Sequence, residues 1–332
     1  MKKVLLTGGL GYIGSHICVE LMNKGYEAII IDNLSNSSIN SLDGVKKITG
    51  HKPKLYINDL RDKASLLRIF KENKIESVIH LAGFKSVNES IEAPLSYYNN
   101  NINGTITLLE VMYQFNCKSL IFSSSATVYA SSNEMPISES APLAASSPYG
   151  SSKLVIERIL HDLSSSDDDW RISILRYFNP AGAHKSGLIG EAPSGSPNNL
   201  FPYISKVAIG DLEKLKIFGN DYKTQDGTGV RDYIHVVDLA KGHCKALKFM
   251  QDNKKIIVVN LGTGTGFSVL EVVKEFEKAC NKKIMYEFSE RRGGDLAKCY
   301  ADPSLALKLL NWKAELGLNA MCQDAWNWEK KK

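Results

Sequence analysis

The chain reads as an α/β protein: a doubly wound parallel sheet with a smaller, interleaved C-terminal α/β domain that would hold the substrate. Three observations predict this. Short apolar runs alternate with helix-length segments through the first 180 residues; a glycine-rich turn follows the first run; and near residue 180 the texture shifts to Gly, Pro, Ser and Asn. Parallel strands covered on both faces show no polar alternation, so they read as continuous apolar runs. With 332 residues, 43% of them hydrophobic, the chain can bury a full core and is long enough for two domains.

The expected strands are VLLTG (4–8), AIIID (28–32), KLYIND (54–59), SVIHLAG (77–83), SLIFSSS (119–125) and RISILRYFN (171–179). Ile13, Ile17 and Leu21 fall at helical spacing after the glycine turn, the stripe a crossover helix lays on a sheet. Residues 179–199 read as a long functional loop. Mixed short elements follow: FPYISKVAIG (201–210), IFGNDY (217–222) and the helix SVLEVVKEFEKAC (268–280). IIVVNLG (256–262) reads as a strand returning to the first sheet. The division is therefore 1–180 for dinucleotide binding and 181–332 for substrate, interleaved through residues 256–262.

Charge and cysteine usage narrow the partners. The net charge of +5 comes from nearly balanced acids and bases, and Lys330–Lys332 make a solvated tail, so no nucleic acid is expected. The six cysteines are scattered without Cys-x-x-Cys pairs, which suits free thiols in a cytoplasmic protein. No apolar run approaches the ~18 residues of a membrane span, and the first residues lead straight into a strand, so neither membrane nor leader is expected.

Gly8, Gly11 and Gly14 form G-x-x-G-x-x-G between a strand and an amphipathic helix. In that context glycines permit a tight turn, close approach of backbone N–H groups to a pyrophosphate, and close helix–strand packing, the signature of a Rossmann dinucleotide site. Asp32 ends the second strand; its carboxylate accepts ribose hydroxyls and repels a 2′-phosphate. Asn33, Leu34, Ser35 and Asn36 supply no arginine to offset that repulsion, so NAD is preferred to NADP. Asp59 and Leu60 end the third strand within reach of an adenine. Leu81, Ala82, Gly83, Phe84 and Lys85 end the fourth, against pyrophosphate and ribose.

Tyr149 and Lys153, in SSPYGSSK (146–153), lie four residues apart on one helix face, with Pro148 suited to the first helical position and Ser147 to the cap. A tyrosine acting as base near neutrality must lose a pKa of about 10, and a neighbouring ammonium and a cationic nicotinamide shift it in that direction.

Together with TGGLGYIGSH (7–16), SSSATVYA (123–130), LRYFNPAGAH (175–184), PNNLFPY (197–203), FGNDY (218–222), DGTGVRDYIHV (226–236) and RRGGDL (291–296), these motifs resemble the UDP-galactose 4-epimerase branch of the extended short-chain dehydrogenase/reductase family, from end to end of the chain. The resemblance implies an enzyme that inverts carbon 4 of UDP-hexoses through a transient 4-keto sugar, with NAD as cofactor. It implies that Ser125, Tyr149 and Lys153 are catalytic. Implied NAD contacts are Tyr12, Ile13, Asp32 through Ser37, Asp59, Leu60, Phe84, Lys85, Asn100, Ser125, Tyr149, Lys153 and Phe178. The UDP-sugar is placed at Lys85, Asn179, Asn199, Leu200, Phe218, Arg231, Arg292 and Asp295, beside Ser125 and Tyr149. A homodimer is implied, with helices from residues 94–115 and 147–163 across a two-fold axis.

Three positions depart from the family pattern. Ser151 replaces a lysine common in bacterial members, and Ala130 a common glycine. Cys299 replaces a tyrosine, and the smaller side chain leaves room for an N-acetyl group on the sugar, so UDP-N-acetylhexosamines are expected substrates too. His80 and His235 sit in apolar runs and read as core histidines; His184 has no second ligand at metal spacing, so no metal site is expected. A related 4,6-dehydratase or decarboxylase needs an acid pair after Ser125, where Ala126 and Thr127 stand. A non-catalytic NAD sensor needs a broken Ser/Tyr/Lys set, and all three are present.

Overall fold

The computed structural model describes residues 2–131, 134–193, 197, 199–253 and 255–332. Its strands in chain order are β1 (Lys3–Thr7), β2 (Glu27–Asp32), β3 (Lys54–Ile57), β4 (Ser77–His80), β5 (Ser119–Ser125), β6 (Arg171–Tyr177), β7 (Asn179–Ala181), β8 (Leu215–Phe218), β9 (Val230–His235), β10 (Ile256–Leu261), β11 (Gly266–Ser268), β12 (Tyr286–Ser289) and β13 (Lys298–Cys299). Seven form one sheet in the order β10-β6-β5-β4-β1-β2-β3, every pair parallel. Strand order reverses at β1, where Thr7 pairs with Ile31 on one side and His80 on the other. That reversal opens a crevice at the carboxyl ends of the strands.

Alternation along the strands divides the core between the two faces. Leu6, Ile30, Ile79 and Ile121 pack with Ile17, Leu21 and Leu239 from the helices Tyr12–Asn23 and Val236–Asp252. Leu5, Ile29, Val78 and Phe122 pack with Leu66, Leu108 and Ile156 on the opposite face. The stripe Ile13, Ile17, Leu21 is the one that the helix Tyr12–Asn23 lays on the sheet.

Two expected strands differ in detail. KLYIND stops at Ile57 because β3 is the sheet edge with one neighbour, and Ile57 is 53% exposed. RISILRYFN is two strands. β6 ends at Tyr177, the Phe178 N–H donates to the Leu261 carbonyl at 3.2 Å, and β7 then pairs with β9 in a second sheet. Pro180, lacking an N–H, suits that short edge strand. β10, far beyond residue 180 in sequence, pairs with β6.

The second sheet centres on β9, flanked by β11, β13 and β7; β8 and β12 form a separate parallel pair. Phe201, Ile217, Tyr233, Phe276 and Trp326 are its core. Of the loop expected over 179–199, residues 179–181 are strand, and residues 194–196 and 198 lie outside the described residues. Among the described residues no helix is long and apolar enough to cross a membrane.

Candidate active site

The crevice at the strand reversal is a cavity of about 440 Å³. Its floor is backbone. Gly8 has φ +67°, and a Cβ there would lie 2.9 Å from the Ala82 nitrogen; a Cβ on Gly14 would overlap the Gly8 carbonyl oxygen. The helix Tyr12–Asn23 is capped by Gly11, which has no side chain to occupy the first-turn N–H groups, so an anion can take them. Asp32, 7% exposed, accepts from the Leu10 and Leu34 N–H groups at 3.0 Å and from the Ser37 hydroxyl at 2.7 Å. Its carboxylate is thereby fixed at the end of β2. These features fit a nicotinamide dinucleotide.

Of the expected cofactor residues, Gly8, Gly11, Tyr12, Ile13, Gly14, Asp32, Asn33, Ser35, Asn36, Ser37, Asp59, Leu60, Leu81 to Lys85 and Asn100 line this cavity; Leu34, Ser125, Tyr149, Lys153 and Phe178 do not. The structure adds an arginine that inspection of residues 33–36 missed. Arg61 donates to Asp59 through Nε at 2.9 Å and Nη2 at 2.8 Å, holding the Asp59 carboxyl well below the usual carboxylate range. Its charge is matched by Asp59 and it does not line the cavity, so this guanidinium is a poor partner for a 2′-phosphate.

Ser125 ends β5, with Ser123, two residues earlier, in the cavity wall. Its Oγ accepts the Thr127 N–H at 3.2 Å and the Thr127 hydroxyl at 3.0 Å, so its own proton is free to be donated. Tyr149 is in the first turn of the helix Pro148–Ser166, after Pro148, with the Ser147 hydroxyl capping the Gly150 N–H at 3.2 Å. Burial holds the Tyr149 phenol above its ordinary value, while its hydrogen bond with Ser125 pulls the other way. Lys153 is buried, donates to the Ser123 carbonyl at 2.8 Å, and sits 4.9 Å above the Phe122 ring. Burial pulls its ammonium down to about 8, opposed by the Glu157 carboxylate one turn on.

A second cavity of about 300 Å³ is lined by Asn179, Asn199, Leu200, Phe218, Arg231, Arg292 and Asp295, among others. Asn179 is two residues beyond Tyr177, the register partner of Ser125, so the carboxyl end of β5 and this cavity adjoin. Arg231 donates through Nη1 to the Val230 carbonyl at 2.9 Å and the Leu296 carbonyl at 2.7 Å, and through Nη2 to Asp295 at 3.2 Å. The Arg292 guanidinium lies 3.9 Å from the Phe218 ring centre. Cys299 lines neither cavity. It pairs with Arg231 across β13 and β9, and packs with Phe178 around Val128, Tyr129 and Ile137.

Sequence inspection missed the residues that hold this set in place. Asn101 accepts the Phe84 N–H at 2.8 Å and donates to the Phe84 carbonyl and the Ser152 hydroxyl at 3.1 Å, tying the loop after β4 to the helix Pro148–Ser166. Glu157 accepts the Ser124 hydroxyl at 2.5 Å and Arg176 at 3.0 and 2.7 Å. Arg176 also reaches the Tyr129 hydroxyl at 3.0 Å, which donates to Asn260 at 2.6 Å. Their partners are 17 to 131 residues away, and no local pattern announces them. His80 is a satisfied core histidine between Thr7 (2.7 Å) and Thr105 (2.8 Å), and burial pulls it down to about 3. His235, also buried, accepts the Val237 N–H at 3.1 Å and faces Asp324 at 3.2 Å.

This geometry has counterparts among known proteins. Residues 5–325 match the family model described as GDP-mannose 4,6 dehydratase. The chain is 55% identical to UDP-glucose 4-epimerase of Bacillus subtilis over 98% of its own length and 96% of that protein's. It is 53% identical to UDP-glucose 4-epimerase of Bos taurus, over 99% and 97%. The crystal structure of UDP-glucose 4-epimerase from Bifidobacterium longum in complex with NAD+ and UDP superposes with a TM-score of 0.97 at 52% identity, covering 99% of this chain and 98% of that one.

Proposed function

The chain belongs to the UDP-glucose 4-epimerase family, within the wider family described as GDP-mannose 4,6 dehydratase, and from that premise we propose that it interconverts UDP-galactose and UDP-glucose. The observation that carries this is the grouping of Ser125, Tyr149 and Lys153 at one strand end, adjoining both a dinucleotide crevice and a second cavity rich in arginine and asparagine. NAD, when bound in the first cavity, supplies the oxidant that takes hydrogen from carbon 4 and the reductant that returns it.

The residues supply the rest. Tyr149 takes the 4-hydroxyl proton as the ketone forms and gives it back after the sugar has turned over. Ser125, whose lone pairs are held by Thr127, donates its hydroxyl hydrogen toward the Tyr149 or sugar oxygen and so stabilises the negative charge that develops there. Lys153 stabilises the phenolate. The nucleotide stays anchored while the sugar turns, and guanidinium forks such as Arg231 and Arg292 suit a diphosphate. The dehydratase alternative lacks its acid pair, since Ala126 and Thr127 follow Ser125.

Finer assignments belong to the same proposal. Cys299 lies behind the second cavity as the register partner of its lining residue Arg231, and a side chain smaller than tyrosine there is the ground for proposing UDP-N-acetylglucosamine and UDP-N-acetylgalactosamine as substrates as well. The protein acts as a homodimer: Ile91 and Leu95, 61% and 81% exposed, lie on short helices that pack beside the helix Pro148–Ser166. The interface helix expected over 94–115 runs from Pro94 to Gln114 with a π-helical turn at Asn99–Asn103. It works in the cytoplasm, in keeping with six free cysteines, and divides near residue 180 into cofactor and substrate domains. The test is incubation of the purified protein with UDP-galactose and no added NAD. UDP-glucose should accumulate; a 6-deoxy-4-keto product, or none, would overturn the assignment.

A further inference from the structure

Asn199 caps the helix Leu200–Ile209, yet its side chain makes no capping hydrogen bond. Asparagine is among the best capping residues, its oxygen ordinarily accepting the N–H of the second or third helical residue. Here the third is Pro202, which has no N–H, leaving the Phe201 N–H as the available donor. Asn199 turns elsewhere: its Nδ2 donates to Oε1 of Glu191 at 2.6 Å. A carboxylate accepts only, so the amide nitrogen must face Glu191.

Lys85 donates to the same Oε1 at 3.3 Å. Glu191 lines the first cavity and Asn199 the second, so one carboxylate oxygen bridges the two. Glu191 is 8% exposed and held from behind, since the Trp328 indole donates to its carbonyl at 3.1 Å and Gly190 packs flat against that ring.

We propose that Glu191 is a positioning residue of the nucleotide site: it draws the Asn199 amide off the helix end, leaving the Leu200 and Phe201 N–H groups for a diphosphate oxygen, and aligns Lys85 on the same atom. Both first-turn residues line the second cavity, where an anion at a helix N-terminus is favoured. The proposal rests on reading that cavity as the UDP site.

Calorimetric titration of the cofactor-loaded protein with UDP tests it, with steady-state kinetics alongside. Glu191→Ala should weaken UDP about tenfold and raise KM for UDP-galactose in proportion, with kcat and bound cofactor little changed. Glu191→Gln, which keeps the shape and guards against a folding defect, should fall between Ala and wild type. In an Asn199→Ala background the penalty of Glu191→Ala should shrink to about twofold or less, because the competing cap is gone. Wild-type affinity in both Glu191 variants, or additive losses in the double variant, would overturn the role of Glu191. Wild-type protein that fails to bind UDP would instead overturn the reading of the cavity.

Discussion

Glu157→Gln removes one charge from the buried network behind Lys153 while preserving volume. Glu157 and Arg176 side chains are each 3% exposed, and the carboxylate takes two guanidinium bonds and the Ser124 hydroxyl. A glutamine turns an N–H₂ toward one of those donors and leaves Arg176 without its counter-charge. Breaking a buried pair by removing one partner costs about 3–5 kcal/mol. For a chain of this size that lowers the unfolding midpoint by roughly 4–7 °C.

The same substitution acts on Lys153. Its ammonium is at about 8 in the folded protein, already depressed by burial and supported by Glu157. The gap from 10.5 corresponds to about 3 kcal/mol that folding loses when the lysine is charged. Between about pH 8 and 10.4 the unfolded chain binds more protons than the folded one, so this group makes stability rise with pH there. Without Glu157 the folded value drops further. The alkaline limb of kcat for UDP-galactose should therefore move to lower pH, and the midpoint recover more on raising pH. Thermal unfolding and a pH–rate profile measure both. A lower midpoint with an unmoved alkaline limb would reduce Glu157 to a packing role, and an unchanged midpoint would refute the network energetics.

Three further outcomes are expected. Tyr149→Phe should keep fold and cofactor but lose roughly 10²- to 10⁴-fold in kcat, since the phenol supplies proton transfer and little packing; near wild-type turnover removes it from the base role. Extraction of the denatured protein, followed by chromatography, should release NAD or NADH, and NADP as the main species would contradict the roles given to Asp32 and the Asp59–Arg61 pair. Cys299→Tyr should retain the plain hexoses and lose the N-acetyl pair, measured by product chromatography on both; equal handling of both by the variant would show that Cys299 does not set the pocket size.

The fold and the site were legible in the sequence to different degrees. Continuous apolar runs and the glycine turn reveal buried parallel strands because these patterns arise from burial itself. β3 was misjudged in extent because an edge strand with one neighbour carries the same β-forming residues as a central one. The break at Phe178 escaped notice because an apolar residue continues the run while the backbone changes sheets. Tyr149 and Lys153 were readable because helical spacing brings them to one face. Glu157, Arg176, Asn101 and Glu191 were not, because each acts through a partner distant in sequence, such as the 106 residues between Lys85 and Glu191. Thr127 reads in the sequence only as the absence of an acid, whereas its two hydrogen bonds set the direction of the Ser125 hydroxyl.

The central claim is that hydrogen leaves carbon 4 and returns to it within a closed site, with Tyr149 and Ser125 handling only the hydroxyl proton. UDP-galactose deuterated at carbon 4, converted in ordinary water and followed by proton NMR, addresses this directly. The account predicts UDP-glucose with the label retained at carbon 4, and no deuterium gained there when unlabelled substrate reacts in heavy water. Loss of the label to solvent, or solvent deuterium appearing at carbon 4, would contradict it.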